Sequence, residues 1–326
     1  MRFFLFAALL LVSAATLMVG EIPWPDVREG VLRRFSGEGS WNPLLDERLP
    51  RLIVILCTGA SLAVSGAVMQ SLFHNPLASP GVLGISCGGS LATVAVFVLG
   101  WHLNYPYAIP AAAVIGSLLT IIIVQGLSSF RGEPQLKNLI LTGIAISTLL
   151  IAVEGTILYA LRDRWHLIQT VTEWHAGSSA DKSWQHVHMQ LPLTIAGLLG
   201  CWGYRRELDM LALGDEEAKN LGVEVDKMRR HLFLSVALLT GGALAGMGII
   251  AFFGLVLPHI LRRLQGPCHL KLIPHCILGG SVTLCLMDLI LRINAVHAFS
   301  IGNISAILGG IFFLILLFGS RERAYA

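Results

Sequence analysis

The sequence predicts an all-α, polytopic membrane protein with about ten transmembrane helices. Three observations carry that expectation. The 326 residues are 55% hydrophobic and only 13% charged, with a mean hydropathy of +0.72, whereas a soluble domain is about 25% charged. The apolar residues gather into runs near the length of about 20 that a bilayer requires. Small residues and prolines fall inside those runs, which suits helices that pack closely and are interrupted where they line a cavity.

Ten runs follow one another: 3–20, 52–72, 81–100, 106–127, 138–160, 190–203, 231–251, 252–264, 272–292 and 301–319. The first follows a lone Arg2 and resembles a signal peptide, but it has span length and is expected to remain as a helix. The second opens on Arg48 and Arg51, carries Gly59, Ala63 and Gly66, and ends at Asn75-Pro76, because proline cannot continue a regular helix. The Pro/Gly-rich stretch to Gly84 leads into the third, and the fourth runs on to the inner side. The fifth holds Glu154 with no evident partner, so Glu154 either lines a pathway or sits hydrated at the outer interface. The sixth leads into the polar stretch 204–230. Residues 231–264 make two spans only by turning back near Gly248–Gly254, and Pro258 should kink the second. The ninth ends with Asp288 and Arg292 one turn apart, where opposite charges neutralise each other. The tenth completes a single transmembrane domain, 1–326, with 21–51, 161–189 and 204–230 as its longest polar stretches.

Ten passes with the N-terminus inside put fourteen of the 23 Lys and Arg residues on the inner side, Arg131, Arg321 and Arg323 among them. That excess favours both termini in the cytoplasm. Segment 21–51 nevertheless keeps Arg28, Arg33, Arg34, Arg48 and Arg51 outside, which suggests an outer partner with acidic groups. The net charge of +3 gives no nucleic-acid signal.

No G-x-x-x-x-G-K-[ST] run occurs, so the chain lacks the phosphate cradle needed to hydrolyse ATP. H-E-x-x-H and C-x-x-C are absent too. The six cysteines lie mostly within apolar runs and read as small hydrophobes. No metal site or cofactor is expected. His166, His175, His186 and His188 read as solvated groups of an outer loop, and Cys268-His269 and His275-Cys276 as incidental neighbours. His259 is expected to bond a carbonyl that Pro258 sets free.

The inner stretch 204–230 has its own local logic. Gly214 breaks the chain, Asp215 can cap a helix of about two turns with acids in its first turn, and Gly222 can end it. Such a helix would present Ala218 and Leu221.

Several of these stretches resemble the permease subunits of bacterial ABC importers for iron-siderophores, haem and cobalamin. The residues from Arg48 to Ser86 are similar to one signature of that family. Leu211–Gly222 is similar to its L-x-L-G-[DE]-x-x-A-x-x-L-G, and Gly248–Arg262 to its G-x-I-x-F-[VI]-G-L-[VI]-[VI]-P-H-I-x-R. Trp174-His175-Ala176-Gly177-Ser178 is similar to its W-x-x-G-S, and the likeness runs from about residue 44 to 320. Where the family has E-L-P-[VI]-G this chain has Ala298-Phe299-Ser300-Ile301-Gly302, and where it has L-G-A-P this chain has Leu308-Gly309-Gly310-Ile311.

The resemblance implies a type II importer in the inner membrane. It implies a homodimer in the bilayer, a periplasmic substrate-binding protein that delivers a metal chelate, and separate ATP-binding cassette subunits that drive alternating access. It implies that Arg48, Arg51 and Arg292 dock glutamates of the binding protein. It further implies that Leu211, Leu213, Gly214, Asp215, Glu216, Ala218, Leu221 and Gly222, within a coupling segment 205–230, seat in the ATPase. Asn75 and Leu77 would narrow the cytoplasmic gate. The residues alone allow a second class, an ion-coupled secondary transporter using Glu154 and the Asp288/Arg292 pair. Transport that survives loss of ATP would distinguish it.

Overall fold

The computed structural model describes residues 1–20, 22–37, 41–129, 136–294 and 299–319. Arg131, Ala298, Arg321 and Arg323 lie outside the described residues. Within them the chain forms α1 (Arg2–Met18), α2 (Trp24–Phe35), α3 (Leu49–Leu72), α4 (Ile85–Val98), α5 (Trp101–Asn104), α6 (Ala108–Ser128), α7 (Leu136–Ala160) and α8 (Trp165–Ala176). These continue as α9 (Trp184–Gly203), α10 (Arg205–Leu211), α11 (Asp215–Asn220), α12 (Val225–Met247), α13 (Phe253–Gln265), α14 (His269–Ile293) and α15 (Ile301–Gly319). No strand occurs among the described residues.

All ten apolar runs became helices. Five of them, α3, α6, α7, α12 and α14, are long and apolar enough to cross a membrane. Helices α1, α4 and α15 are shorter apolar helices, and α9 and α13 complete the set. The polar stretches are more ordered than hydropathy implied, because α2, α8, α10 and α11 are helices that lie within them.

Helix α3 sits at the centre. Its apolar stretch is 83% buried and that of α12 is 78% buried, whereas that of α7 is only 11% buried. Helix α14 packs antiparallel to α3 and parallel to α1. Arg2 Nη2 donates to Leu270 O at 3.1 Å at one end, and Arg292 Nη2 donates to Thr16 O at 3.1 Å at the other.

Lipid tails are as apolar as leucine, so these helices associate by close packing rather than by escape from water. Gly59 and Gly280 face each other so closely that a β-carbon on either would strike the other's carbonyl. The backbones of α3 and α14 therefore touch, and the small residues seen in the sequence are what lets them.

The chain does turn back between α12 and α13, with Gly248 at φ 76° and Phe252 at φ 61°. The 13 residues of α13 rise only about 20 Å, less than the hydrocarbon core, so the turn lies at membrane depth. Irregular backbone there must find partners within the protein. Ser178 N donates to Met247 O at 2.9 Å, Ser305 Oγ to Ala251 O at 2.7 Å and Gln70 Nε2 to Leu255 O at 3.0 Å. This turn and the break at Ser79–Gly81 line one cavity of about 320 Å³, into which Ser65, Ser86 and Thr240 also project.

Candidate functional site

One end of the bundle gathers the expected docking arginines. Arg51 Nη2 donates to Asp288 Oδ1 at 2.7 Å and to Ser179 Oγ at 2.9 Å. Ser179 Oγ in turn donates to Asp288 Oδ1 at 2.5 Å. Arg292 Nε lies 3.0 Å from Asp288 Oδ2 as an ion pair, out of line for a hydrogen bond. Its other nitrogens donate to Val19 O at 2.8 Å and Thr16 O at 3.1 Å. Arg48 is only 4% exposed. It donates to Leu17 O at 2.9 Å, Met18 O at 3.2 Å and Ile22 O at 2.7 Å. Leu17 and Met18 belong to the last turn of α1, whose carbonyls have no partner within the helix and attract a cation.

The three arginines thus converge at one end, but each already bonds groups within the chain. Asp288 neutralises one of the two guanidiniums that meet it, so this local cluster keeps a positive surplus. Lys182 adds to it: burial pushes its amine down to about 8, against Asp181, with Arg51 acting in the same direction as burial.

The opposite end carries the segment 205–222. Gly214, at φ 118°, is itself the N-cap of α11. Asp215 does not cap the helix as expected; its Oδ1 accepts from Arg229 Nη2 at 2.7 Å, which ties α11 to α12. Ala218 and Leu211 are buried against the bundle, so Ala218 is not on the presented face. The presented apolar groups are Leu213, 64% exposed, and Leu221, 57% exposed. Glu216 is exposed between them, and Gly222 ends the element at φ 87°.

The break after α3 lies at this same end. Asn75 N donates to Gln70 O at 3.1 Å and His74 N to Ser71 O at 3.3 Å, the two bonds of a Schellman ending. Asn75 Oδ1 then accepts from Leu77 N at 2.9 Å. The turn holds Pro76 and leaves the Leu77 side chain exposed.

Glu154, which has no evident partner in the sequence, has two. His175 Nε2 lies 3.0 Å from its Oε1, and Ser90 Oγ donates to the same oxygen at 3.2 Å. His175 is therefore not a freely solvated loop group but joins α8 to α7. His186 takes part in the capping box at the start of α9 through Ser183. His259 departs from expectation, since its Nε2 has no hydrogen-bond partner and its ring packs edge-on to Phe312 at 5.8 Å. The carbonyl at Gly254, which Pro258 cannot bond, faces Gly66 instead.

Among the described residues no group of three or more His, Cys, Asp or Glu could hold a metal ion. Gly84-Ile85-Ser86-Cys87-Gly88 has the spacing of a nucleophile elbow. It lies at the start of α4 with no strand before it, and Ser86 opens into the cavity rather than onto a His–carboxylate pair.

The FecCD transport family matches residues 3–319. The hemin transport system permease protein of Yersinia pestis is 38% identical over 296 residues, covering 88% of this chain and 86% of that one. The cobalamin import system permease protein of Halobacterium salinarum is 32% identical over 314 residues, covering 95% and 84%. The Fe(3+) dicitrate transport system permease protein of Escherichia coli is 34% identical over 309 residues, covering 94% of each. A solved metal-chelate type ABC transporter in an inward-facing conformation superposes with a TM-score of 0.84 at 25% identity, covering 98% of both chains. The chain belongs to the FecCD transport family and is a permease subunit of an ABC importer, in which ATP hydrolysis falls to a separate subunit.

Proposed function

We propose that two copies of this chain form the membrane pathway for a metal chelate of the iron-siderophore, haem or cobalamin class. A periplasmic binding protein delivers the cargo, and ATPase subunits on the cytoplasmic side drive its release by alternating access. Both termini lie in the cytoplasm, and residues 1–326 act as one transmembrane domain. The observation that carries the reading is the division of the bundle. A positive cluster occupies one end, and the exposed leucines of the coupling segment occupy the other, beside the gate turn of Asn75 and Leu77. The bare face of α7, with exposed Leu141, Ile144, Leu149, Ile151 and Tyr159, supports a second copy as its cover.

Arg51 and Arg292 are the docking charges in this reading. Carboxylates of the binding protein replace part of the hydrogen bonding that Asp288, Ser179 and nearby carbonyls now supply. Arg48 stands behind them, holding the end of α1, and contributes its charge. The ion-coupled alternative draws less support, because Asp288 is already matched by two arginines.

The test is docking by neutral substitution. Arg51→Gln with Arg292→Gln should weaken capture of the purified binding protein by about 2–5 kcal/mol for each desolvated charge pair removed. Thermal unfolding of the same variants separates impaired docking from an impaired fold. A folded double variant that binds its partner normally would remove these residues from the docking surface.

A further inference from the structure

The gate turn and the coupling segment are distant in sequence, yet two histidines outside both residue sets join them. His74 Nε2 lies 2.8 Å from Leu211 O. A carbonyl only accepts, so the imidazole carries its proton on Nε2. The same carbonyl accepts from Gly214 N at 3.0 Å. One oxygen at the end of α10 therefore holds both the start of α11 and the gate turn.

The backbone of His74 adds an independent argument. Its φ is 47°, the left-handed conformation that glycine adopts without strain and a residue with a β-carbon does not. It occupies the position just past α3 where a Schellman ending favours glycine. Local strain persists where the surroundings hold it, and such positions gather at functional sites. Here the imidazole bond to Leu211 adds to the two backbone bonds of the Schellman ending in holding it.

A second tie runs alongside. Asp209 on α10 accepts from His269 N at 2.7 Å and from His269 Nδ1 at 2.6 Å. His269 is 2% exposed, and its Nε2 meets Ser71 Oγ at 2.6 Å in the last turn of α3. Arg262 Nη2 donates to the same hydroxyl at 3.2 Å. The order Ser–His–Asp is that of a nucleophilic triad, but the serine is buried and its hydroxyl is engaged by Arg262 and by Ala67 O. The chain of bonds fixes α10 to the ends of α3 and α14.

We propose that His74, with the Asp209–His269–Ser71 chain beside it, is the positioning residue that carries movement of the ATPase-docking helices into the gate turn. This rests on the reading of Asn75 and Leu77 as gate and of Leu211–Gly222 as coupling segment. A shift of α10 must either drag the turn by the Leu211 carbonyl or break that bond.

Two substitutions separate transmission from structure. His74→Gly removes the imidazole and relieves the left-handed backbone, so the fold should be as stable or more so. His74→Gln keeps the strain and offers an amide N–H to the same carbonyl. Both are made in a chain with Leu77→Cys and without the six native cysteines, assembled with its ATPase subunits in liposomes. The readout is the ratio of inter-subunit Leu77→Cys crosslinking between the nucleotide-free and ATP–vanadate states. In the His74→Gly variant the nucleotide response should fall about tenfold, within the usual range of coupling between sites. His74→Gln should restore it, although it is the less stable of the two. An unchanged response in His74→Gly, or equal loss in both variants, overturns the proposal and leaves gate and coupling segment standing. A crosslink that ignores nucleotide even with His74 in place overturns the gate reading and this proposal with it.

Discussion

Replacing Asp288 by alanine would leave Arg51 and Arg292 facing each other without their shared carboxylate. The aspartate is fully buried, and it holds Arg51 Nη2 at 2.7 Å, Ser179 Oγ at 2.5 Å and Arg292 Nε at 3.0 Å. Both arginine side chains are largely shielded, with 19% and 14% exposure, so water replaces the missing acceptor only in part. Removing one partner of such a buried pair costs about 3–5 kcal/mol. Arg292 keeps its carbonyls at Thr16 and Val19, which puts the expected loss at the lower end of that range. Asp288→Asn retains an acceptor toward Arg51 and Ser179, so its loss should be smaller, about 1–3 kcal/mol. Denaturant unfolding in micelles measures both, and a double-mutant cycle with Arg51→Ala isolates the Arg51–Asp288 interaction. The asparagine variant also leaves one more unit of uncompensated positive charge at the end proposed to dock the binding protein. It should capture the binding protein faster, most clearly at low salt. A loss below about 0.5 kcal/mol for Asp288→Ala, the size of an ordinary surface substitution, would refute the buried-cluster argument.

Gly66→Ala should abolish folded protein, because the new methyl group would meet the Gly254 carbonyl oxygen and backbone cannot step aside; size-exclusion recovery after solubilisation reads this out, and normal recovery would contradict it. Leu221→Asp changes an exposed side chain, so the protein should fold normally yet lose co-purification with the ATPase, and unchanged association would remove Leu221 from the coupling face. Lys182 should make stability rise with pH between about 8 and the ordinary lysine value of 10.5, because there the unfolded chain keeps a proton that the folded one has released; Lys182→Met should flatten that rise in thermal melts taken across the window, and an unaltered slope would assign the pH dependence elsewhere.

The spans are legible because burial in lipid leaves a signature in every residue of a run. Even the turn near Gly248–Gly254 shows itself through glycines and Pro258. Helices α2 and α8 are not visible by the same route, since a polar helix on a membrane surface has no hydropathy peak. The i,i+4 pair Asp288–Arg292 can be read from spacing, but Arg51 reaches Asp288 across 237 positions, and no local pattern encodes that approach. Glu154 looks isolated for the same reason, because His175 arrives from another helix. The short helix α11 is legible from Gly214 and Gly222, which bound it. Its presented face is not, because Ala218 and Leu221 differ in burial only once α11 is packed against α12. His74 gives no signal at all, because its importance rests on a left-handed backbone and on a carbonyl supplied from α10.

The most direct measurement of the central claim is uptake by liposomes containing this permease and its ATPase subunits, with the binding protein loaded in turn with haem, a ferric siderophore and cobalamin outside. Uptake of one of these chelates should require ATP and the binding protein, should persist when a protonophore collapses the ion gradient, and should stop when the Walker lysine of the ATPase is replaced. Uptake that continues without ATP but ends with the gradient would contradict the account and restore the ion-coupled reading.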